Sequence, residues 1–254
     1  MRGLQQRVAL VTGAGRGIGR SIAKRLAVEG ATVAVNDVEA GRAETTAAEL
    51  RDDGHDAFAA PADVTDFDAV QSAVEAVAEE AGTVDVLVNN AGWDRVELFV
   101  DNDPGLWDRL IDINFRGQVH CSRAVLETMM DQGHGKIVGI ASDAGRVGST
   151  GEAVYAGTKA GVIGFTKTLA RELARYDIQC NVVSPGLTAT PLLEEMQDES
   201  ELAEKIHRGM ADYIPLGRLA EPADIAAGVA FLASADADYV TGQVLSVNGG
   251  LTMC

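Results

Sequence analysis

Short apolar runs recur along this 254-residue chain, each followed by a longer segment with helical periodicity, and that alternation limits the folds open to it. The runs are RVALVT (7–12), ATVAVND (31–37), DVLVN (85–89), KIVGIAS (136–142), IQCNVVS (178–184) and QVLSV (243–247), with a weaker one in DAFAAPADV (56–64). Strands apolar on both sides need cover on both faces, and helical crossovers of a dozen or more residues supply it. The pattern predicts a doubly wound α/β fold with a mostly parallel sheet. No repeat, linker or low-complexity tract breaks it, so residues 1–254 are expected to form one domain. The irregular piece at 186–215, whose acidic helix-forming residues sit between Pro191 and Pro215, is expected to form a small helical flap over a site.

Charge narrows the function. The chain carries a formal net charge of −17, with no basic stripe of the kind phosphate contacts require, which argues against nucleic-acid binding. Cys121, Cys180 and Cys254 are dispersed, and neither they nor the four histidines have metal-ligand spacing, so no metal is expected. These features suit a reducing, cytoplasmic setting. The first residues, MRGLQQRVALVTG, hold no long apolar core, and no run nears the ~18 apolar residues of a membrane span.

Glycines cluster in VTGAGRGIGRSIAKRLAVEG (11–30), directly after a predicted strand and at the start of a predicted helix. Such a turn lets backbone approach a pyrophosphate, and the helix N-terminus offers it unpaired N–H groups. The next strand ends in Asp37, placed to accept both adenosine-ribose hydroxyls and to repel a 2′-phosphate. Arg16 in the loop pulls the other way. With Val38 following Asp37, where a second arginine would favour the phosphate, the balance favours NAD over NADP.

A third set of residues carries proton chemistry. Tyr155 and Lys159 stand four residues apart in a predicted helix, hence on one face. A tyrosine with its ordinary pKa of about 10 is a poor base near neutrality, and a nearby ammonium favours its phenolate. Ser142 lies 13 residues before Tyr155 at a strand end, where open parallel sheets place ligand-binding groups.

The order and spacing of these motifs, with ADV (62–64), NNAG (89–92), IDINFRG (111–117), SPG (184–186) and TGQVLSVNGG (241–250), resemble the short-chain dehydrogenase/reductase family along essentially the whole chain. The resemblance implies a seven-stranded Rossmann-type sheet and a nicotinamide cofactor. It implies that Ser142 holds the substrate oxygen, that Tyr155 is the acid/base, and that Lys159 tunes Tyr155 and holds the nicotinamide ribose. Asn114 would link Lys159 to solvent through a water. Cofactor contacts would come from Gly13, Arg16, Gly17, Ile18, Gly19, Asp37, Asp63, Val64, Asn90, Ala91, Gly92, Tyr155, Lys159, Pro185, Gly186, Leu187, Thr188 and Thr190. A homotetramer is implied too, through helices near 105–130 and 153–175 and the C-terminal edge.

Finer detail in NNAGWD, ASDAGRVGSTGEAVYAGTK and LSVNGGLTM resembles the 2-hydroxycyclohexanecarboxyl-CoA dehydrogenases. The expected activity is NAD-dependent oxidation of a secondary alcohol, with an acyl-CoA of that β-hydroxy type as small-molecule substrate. An NADPH-dependent 3-oxoacyl-carrier-protein or 3-oxoacyl-CoA reductase is the alternative. A non-catalytic nucleotide sensor or scaffold is the alternative of another class. Ser149 and Glu152 have capping-box spacing, and Thr150 and Thr158 are expected in local structure. Trp93, Asp94, Asp143, Arg146, Val147 and Glu152 are either substrate walls or plain loop. Arg16, Arg95, Lys136 and Arg146 are the cations considered for CoA phosphates.

Overall fold

The computed structural model describes residues 1–254. All seven apolar runs form strands: β1 (Val8–Val11), β2 (Thr32–Val35), β3 (Ala57–Ala59), β4 (Val86–Asn89), β5 (Gly135–Ile140), β6 (Ile178–Pro185) and β7 (Val244–Val247). They make one sheet in the order β3-β2-β1-β4-β5-β6-β7. Every pairing is parallel. The helices between them are α1 (Gly17–Val28), α2 (Ala40–Asp52), α3 (Phe67–Ala81), α4 (Pro104–Ile111), α5 (Gly117–Gln132), α6 (Ala144–Val147), α7 (Ala153–Leu173), α8 (Pro191–Glu199), α9 (Glu201–Asp212) and α10 (Pro222–Ala233).

Side-chain alternation along a strand sends neighbouring residues to opposite faces. Ala9 and Val11 accordingly join a core with Ile22 and Leu26 of α1, Leu50 of α2 and Ile225 and Val229 of α10. Val8 and Leu10 join the opposite core with Val74 of α3, Val125 and Met129 of α5 and Leu173 of α7. Burying each valine, leucine, isoleucine or methionine among them contributes about 1.5–3 kcal/mol.

The strand order reverses between β1 and β4, where β1 has β2 on one side and β4 on the other. Chains leaving neighbouring strands in opposite directions open a crevice at the strands' C-terminal ends, and ligands of such folds bind there. The acidic piece after β6 forms α8 and α9, with Thr190 and Ser200 capping their N-termini. Residues of both helices face that crevice. No helix is long and apolar enough to cross a membrane.

Candidate active site

A cleft of about 850 Å³ runs along the C-terminal ends of the strands, from Asp37 beyond β2 to Leu251 near the chain end. At its β1 end the glycine loop enters α1. No side chain caps this helix, whose N-cap is Arg16, and no acidic residue occupies its first turn. Its N-terminus therefore presents free N–H groups and a favourable dipole to an anion. A Cβ on Gly19 would stand 2.2 Å from the Gly13 carbonyl oxygen, so only glycine lets the loop and helix approach this closely. The Thr12 hydroxyl accepts from the Asn90 and Ala91 N–H groups, and the Asn90 amide donates back to the carbonyls of Thr12 and Gly13. These bonds fasten the glycine loop to the end of β4.

Asp37 is buried at the mouth of this loop. Its carboxylate accepts from the N–H of Gly15 at 3.1 Å and of Glu39 at 3.0 Å. Arg42, the cation beside it in the cleft, is paired with Glu39 at 2.9 Å. Arg16 is turned toward α8, its Nη2 2.9 Å from Glu195 Oε2, so the base of the glycine loop is already engaged. Asp63 is exposed and accepts from the Thr65 N–H and hydroxyl, while Val64 is buried against Gly117.

The sequence's proton-handling residues come together further along. Ser142 follows β5, and Tyr155 and Lys159 lie in the first two turns of α7. Ser142 lies close enough to Tyr155 to favour its phenolate, while the Ser142 hydroxyl accepts from the Ala144 N–H at 3.2 Å. The Lys159 ammonium is 5.4 Å from the Tyr155 ring centre and donates to the Ile140 carbonyl at 3.1 Å. Burial brings Lys159 down to about 8, with Asp94 opposing the shift. Tyr155 moves well above its ordinary value, opposite to the direction the lysine alone implies. Burial is the main cause, Asp94 and Glu152 add repulsion, and Ser142 pulls back.

Asn114 is fully buried, not an exposed position on a regular helix, and it sits in a π-helical turn, Asp112–Arg116, between α4 and α5. Its amide donates to the carbonyls of Trp93 at 2.7 Å and Leu110 at 3.0 Å, and its oxygen accepts from the Trp93 N–H. Asn114 and Lys159 converge on Gly92, where a Cβ would meet Asn114 Oδ1 at 3.0 Å and Lys159 Nζ at 3.4 Å. The extra residue of the π turn aims Asn114 inward.

At the end of β6 and just beyond it, Pro185, Gly186, Leu187, Thr188 and Thr190 line the cleft together with Gly13, Gly17 and Ile18. The Thr188 hydroxyl donates to the Gly186 carbonyl, and the Thr190 hydroxyl accepts from the Leu193 N–H as the cap of α8. The Ser149–Glu152 capping box does not form: Glu152 itself is the N-cap of α7, without a side-chain cap bond. The Thr158 hydroxyl donates to the Tyr155 carbonyl within the helix. Asp143 does not line a loop wall alone; it is buried and accepts from Ser184, Asn248 and Thr252, tying β5 to the C-terminal segment.

The cations considered for CoA are engaged elsewhere. Lys136, at the opposite end of β5, pairs with Asp238 at 2.7 Å. Arg95 pairs with Glu97, and Arg146 donates to Ser246 and to the Cys254 carbonyl. Arg109 was not singled out by any sequence motif, yet it lies 3.8 Å over the Trp93 ring at the exposed rim of the cleft. His207 of α9 is another unanticipated member of the cleft, brought there by the flap.

The family model described as enoyl-(acyl carrier protein) reductase matches residues 13–252. The chain is 44% identical over 246 residues to the 3-oxoacyl-[acyl-carrier-protein] reductase FabG of Staphylococcus aureus, covering 96% of this chain and 98% of that one. It is 41% identical over 251 residues to the (2S)-[(R)-hydroxy(phenyl)methyl]succinyl-CoA dehydrogenase subunit BbsD of Thauera aromatica, covering 99% and 98%. Among solved structures, a gluconate 5-dehydrogenase of Burkholderia cenocepacia in complex with NADP and tartrate superposes with a TM-score of 0.91 at 36% identity, covering 98% of this chain and 96% of that one. With the parallel sheet and the Ser142, Tyr155 and Lys159 constellation, these matches establish that the chain belongs to the short-chain dehydrogenase/reductase family.

Proposed function

We propose that this protein is an NAD(H)-dependent oxidoreductase that interconverts a 3-oxoacyl thioester and the corresponding 3-hydroxyacyl thioester. The observation that carries the reading is the convergence of Ser142, Tyr155 and Lys159 on one end of a cleft whose other end closes on Asp37. A nucleotide sensor has no use for an acid/base trio. The curated relatives support the 3-oxoacyl reductase alternative better than the ring alcohol of 2-hydroxycyclohexanecarboxyl-CoA. Both relatives' named substrates carry the reacting oxygen β to an acyl carbonyl, and so does that ring alcohol. The β-oxygenated acyl thioester is therefore the substrate class.

The cofactor fit rests on the cradle at Gly19 and the uncapped N-terminus of α1, with Asp37 and Glu39 where a 2′-phosphate would lie. Two acidic residues there, with Arg42 and Arg16 both paired, support NAD(H) over NADP(H). Gly13, Gly17, Ile18, Asn90, Ala91 and Gly92 would cradle the diphosphate and its ribose. Asp63 and Val64 would meet the adenine, and Pro185, Gly186, Leu187, Thr188 and Thr190 the carboxamide end. When bound, the nicotinamide supplies the hydride, delivered to the carbonyl carbon.

The chain's own residues handle the oxygen and the proton. The Ser142 hydroxyl donates to the substrate oxygen and fixes it beside Tyr155. With its pKa raised, Tyr155 keeps its proton at neutral pH and is set to donate it to the developing alkoxide. The phenolate left behind faces the Lys159 ammonium, and Asn114 would hold the water through which the proton is replaced. Oxidation runs these steps backwards.

The test is nicotinamide turnover with acetoacetyl-CoA, the same acyl group on carrier protein, and 2-hydroxycyclohexanecarboxyl-CoA, each with NAD(H) and NADP(H). Turnover of none of these, or a preference for NADP(H), contradicts the reading. Assembly as a homotetramer belongs to the same proposal and is checked by light scattering.

A further inference from the structure

The substrate end of the cleft contains a cluster that takes no direct part in the proton transfer. Asp94, after the NNAG segment, is 4% exposed, and Glu152 at the start of α7 stands against it. A neighbouring carboxyl adds to the cost of ionising a buried one, so Asp94 retains its proton at neutral pH. Burial, then Glu152, pushes Asp94 up to about 9. One Asp94 oxygen accepts from the Arg95 N–H at 2.8 Å, while the other, Oδ2, is buried with no partner.

A second, independent observation comes from the flap. His207 of α9 is 4% exposed and lines the same cleft, and its Nδ1 is buried and unpartnered. Burial holds its pKa down, against the pull of Glu152, so its ring is neutral at pH 7. Unpaired buried polar atoms are costly, and two on separate residues that line one cleft point to a ligand.

The charges set which ligand. Asp94 and Glu152 both line the cleft here, and the Lys159 ammonium is the cation acting on Asp94. Arg109 stays at the exposed rim on Trp93. An added carboxylate would be repelled by these two carboxyl side chains, whereas a neutral oxygen would accept from the proton that Asp94 retains.

We propose that Asp94, Glu152 and His207 form a charge-selective subsite that holds a neutral acyl oxygen of the substrate, the carbonyl of an ester or thioester, and rejects a free carboxylate. The subsite deepens the thioester reading and rests on it for the identity of that carbonyl. It makes the chain selective for the activated acyl group over the free acid by charge, independently of how CoA or a carrier is gripped.

The test compares NADH-dependent reduction of ethyl acetoacetate with that of free acetoacetate, beside acetoacetyl-CoA. Wild type is expected to favour the ester over the acid by at least ~100-fold in kcat/KM. Glu152→Gln and, separately, Asp94→Asn remove charge while keeping shape, and each is expected to narrow that ratio at least ~10-fold, chiefly by raising the acid. Circular dichroism of both variants reports folding. Ester and acid within threefold in wild type, or an unchanged ratio in both folded variants, overturns the subsite. If acetoacetyl-CoA is not reduced but the ester-to-acid ratio stands, the thioester reading fails and the subsite survives. Where neither small ketone turns over, calorimetric binding to the protein with NAD gives the same comparison, and equal binding or none overturns the proposal.

Discussion

Lys159 donates its ammonium to the carbonyl of Ile140, the last residue of β5, at 3.1 Å. That bond fixes a charge from α7 against the end of the sheet, in the same turn of space as Tyr155 and Ser142. Because the lysine is 3% exposed, its position is set by packing and not by its own flexible stem. Replacing Lys159 by Met is expected to lower kcat about 100-fold or more and to raise KM for the nucleotide. Steady-state kinetics with varied NADH separates the two effects, and a change in KM alone contradicts the acid/base part of its role.

Tyr155→Phe keeps the ring and removes the proton it would donate. Turnover is expected to fall by about 10²–10⁴, the usual contribution of a positioned acid. Nucleotide affinity, followed by quenching of protein fluorescence, is expected to stay within a few-fold. An active Phe variant would place the proton donor elsewhere.

Asp37→Ser removes the carboxylate that accepts from the Gly15 and Glu39 N–H groups. The ratio of kcat/KM for NADH over NADPH is expected to fall at least ~10-fold, with most of the change in the NADPH value. Loss of both activities in equal measure would show a folding role only.

Gly19→Ala places a methyl group 2.2 Å from the Gly13 carbonyl oxygen. The loop must shift, at a cost of about 1–3 kcal/mol for such overpacking. Urea unfolding is expected to show that loss, together with a weaker nucleotide interaction. An unchanged midpoint would mean that the glycine loop yields easily.

Asp94 links the site to pH. In the folded protein it keeps its proton up to about pH 9, whereas an unfolded aspartate loses it near 4. Between those values the folded state binds more protons, so this residue makes stability fall as pH rises. Asp94→Asn is therefore expected to stabilise the protein at pH 8, relative to its effect at pH 4.5, by at least ~1 kcal/mol. Urea denaturation of both proteins at the two pH values checks this, and equal effects contradict it.

The sheet was legible because a strand buried on both faces must be a near-continuous apolar run, and VALV, VLVN and IQCNVVSP are such runs. The C-terminal ends of β1, β2, β3 and β5 were read one to five residues long, since residues such as Thr12, Asn36 and Asp37 continue the pattern beyond the strand. Ser142, Tyr155 and Lys159 were legible because one helix turn and one strand end bring them together. The acid cluster was harder to read. Asp94, Glu152 and His207 lie on three separate segments, and no spacing joins them. Glu152 instead suggested a capping partner for Ser149, because local sequence shows the capping pattern while only the tertiary fold shows the competing carboxyl. The π turn at Asn114 was hidden for a related reason: one extra residue in a helical turn leaves the apolar pattern intact.

The parallel sheet also separates two kinds of change open to this chain. The loops that line the cleft issue from the strands' C-terminal ends, from Asp37 after β2 to Leu251 after β7, while the registers between strands depend on residues deeper in the layers. Segments 93–99, 144–152 and 191–215 can thus drift in length and charge while the frame that aligns hydride and proton stays fixed. The carboxyl pair lies on two of those segments and His207 on the third, so a new acyl preference requires no new strand.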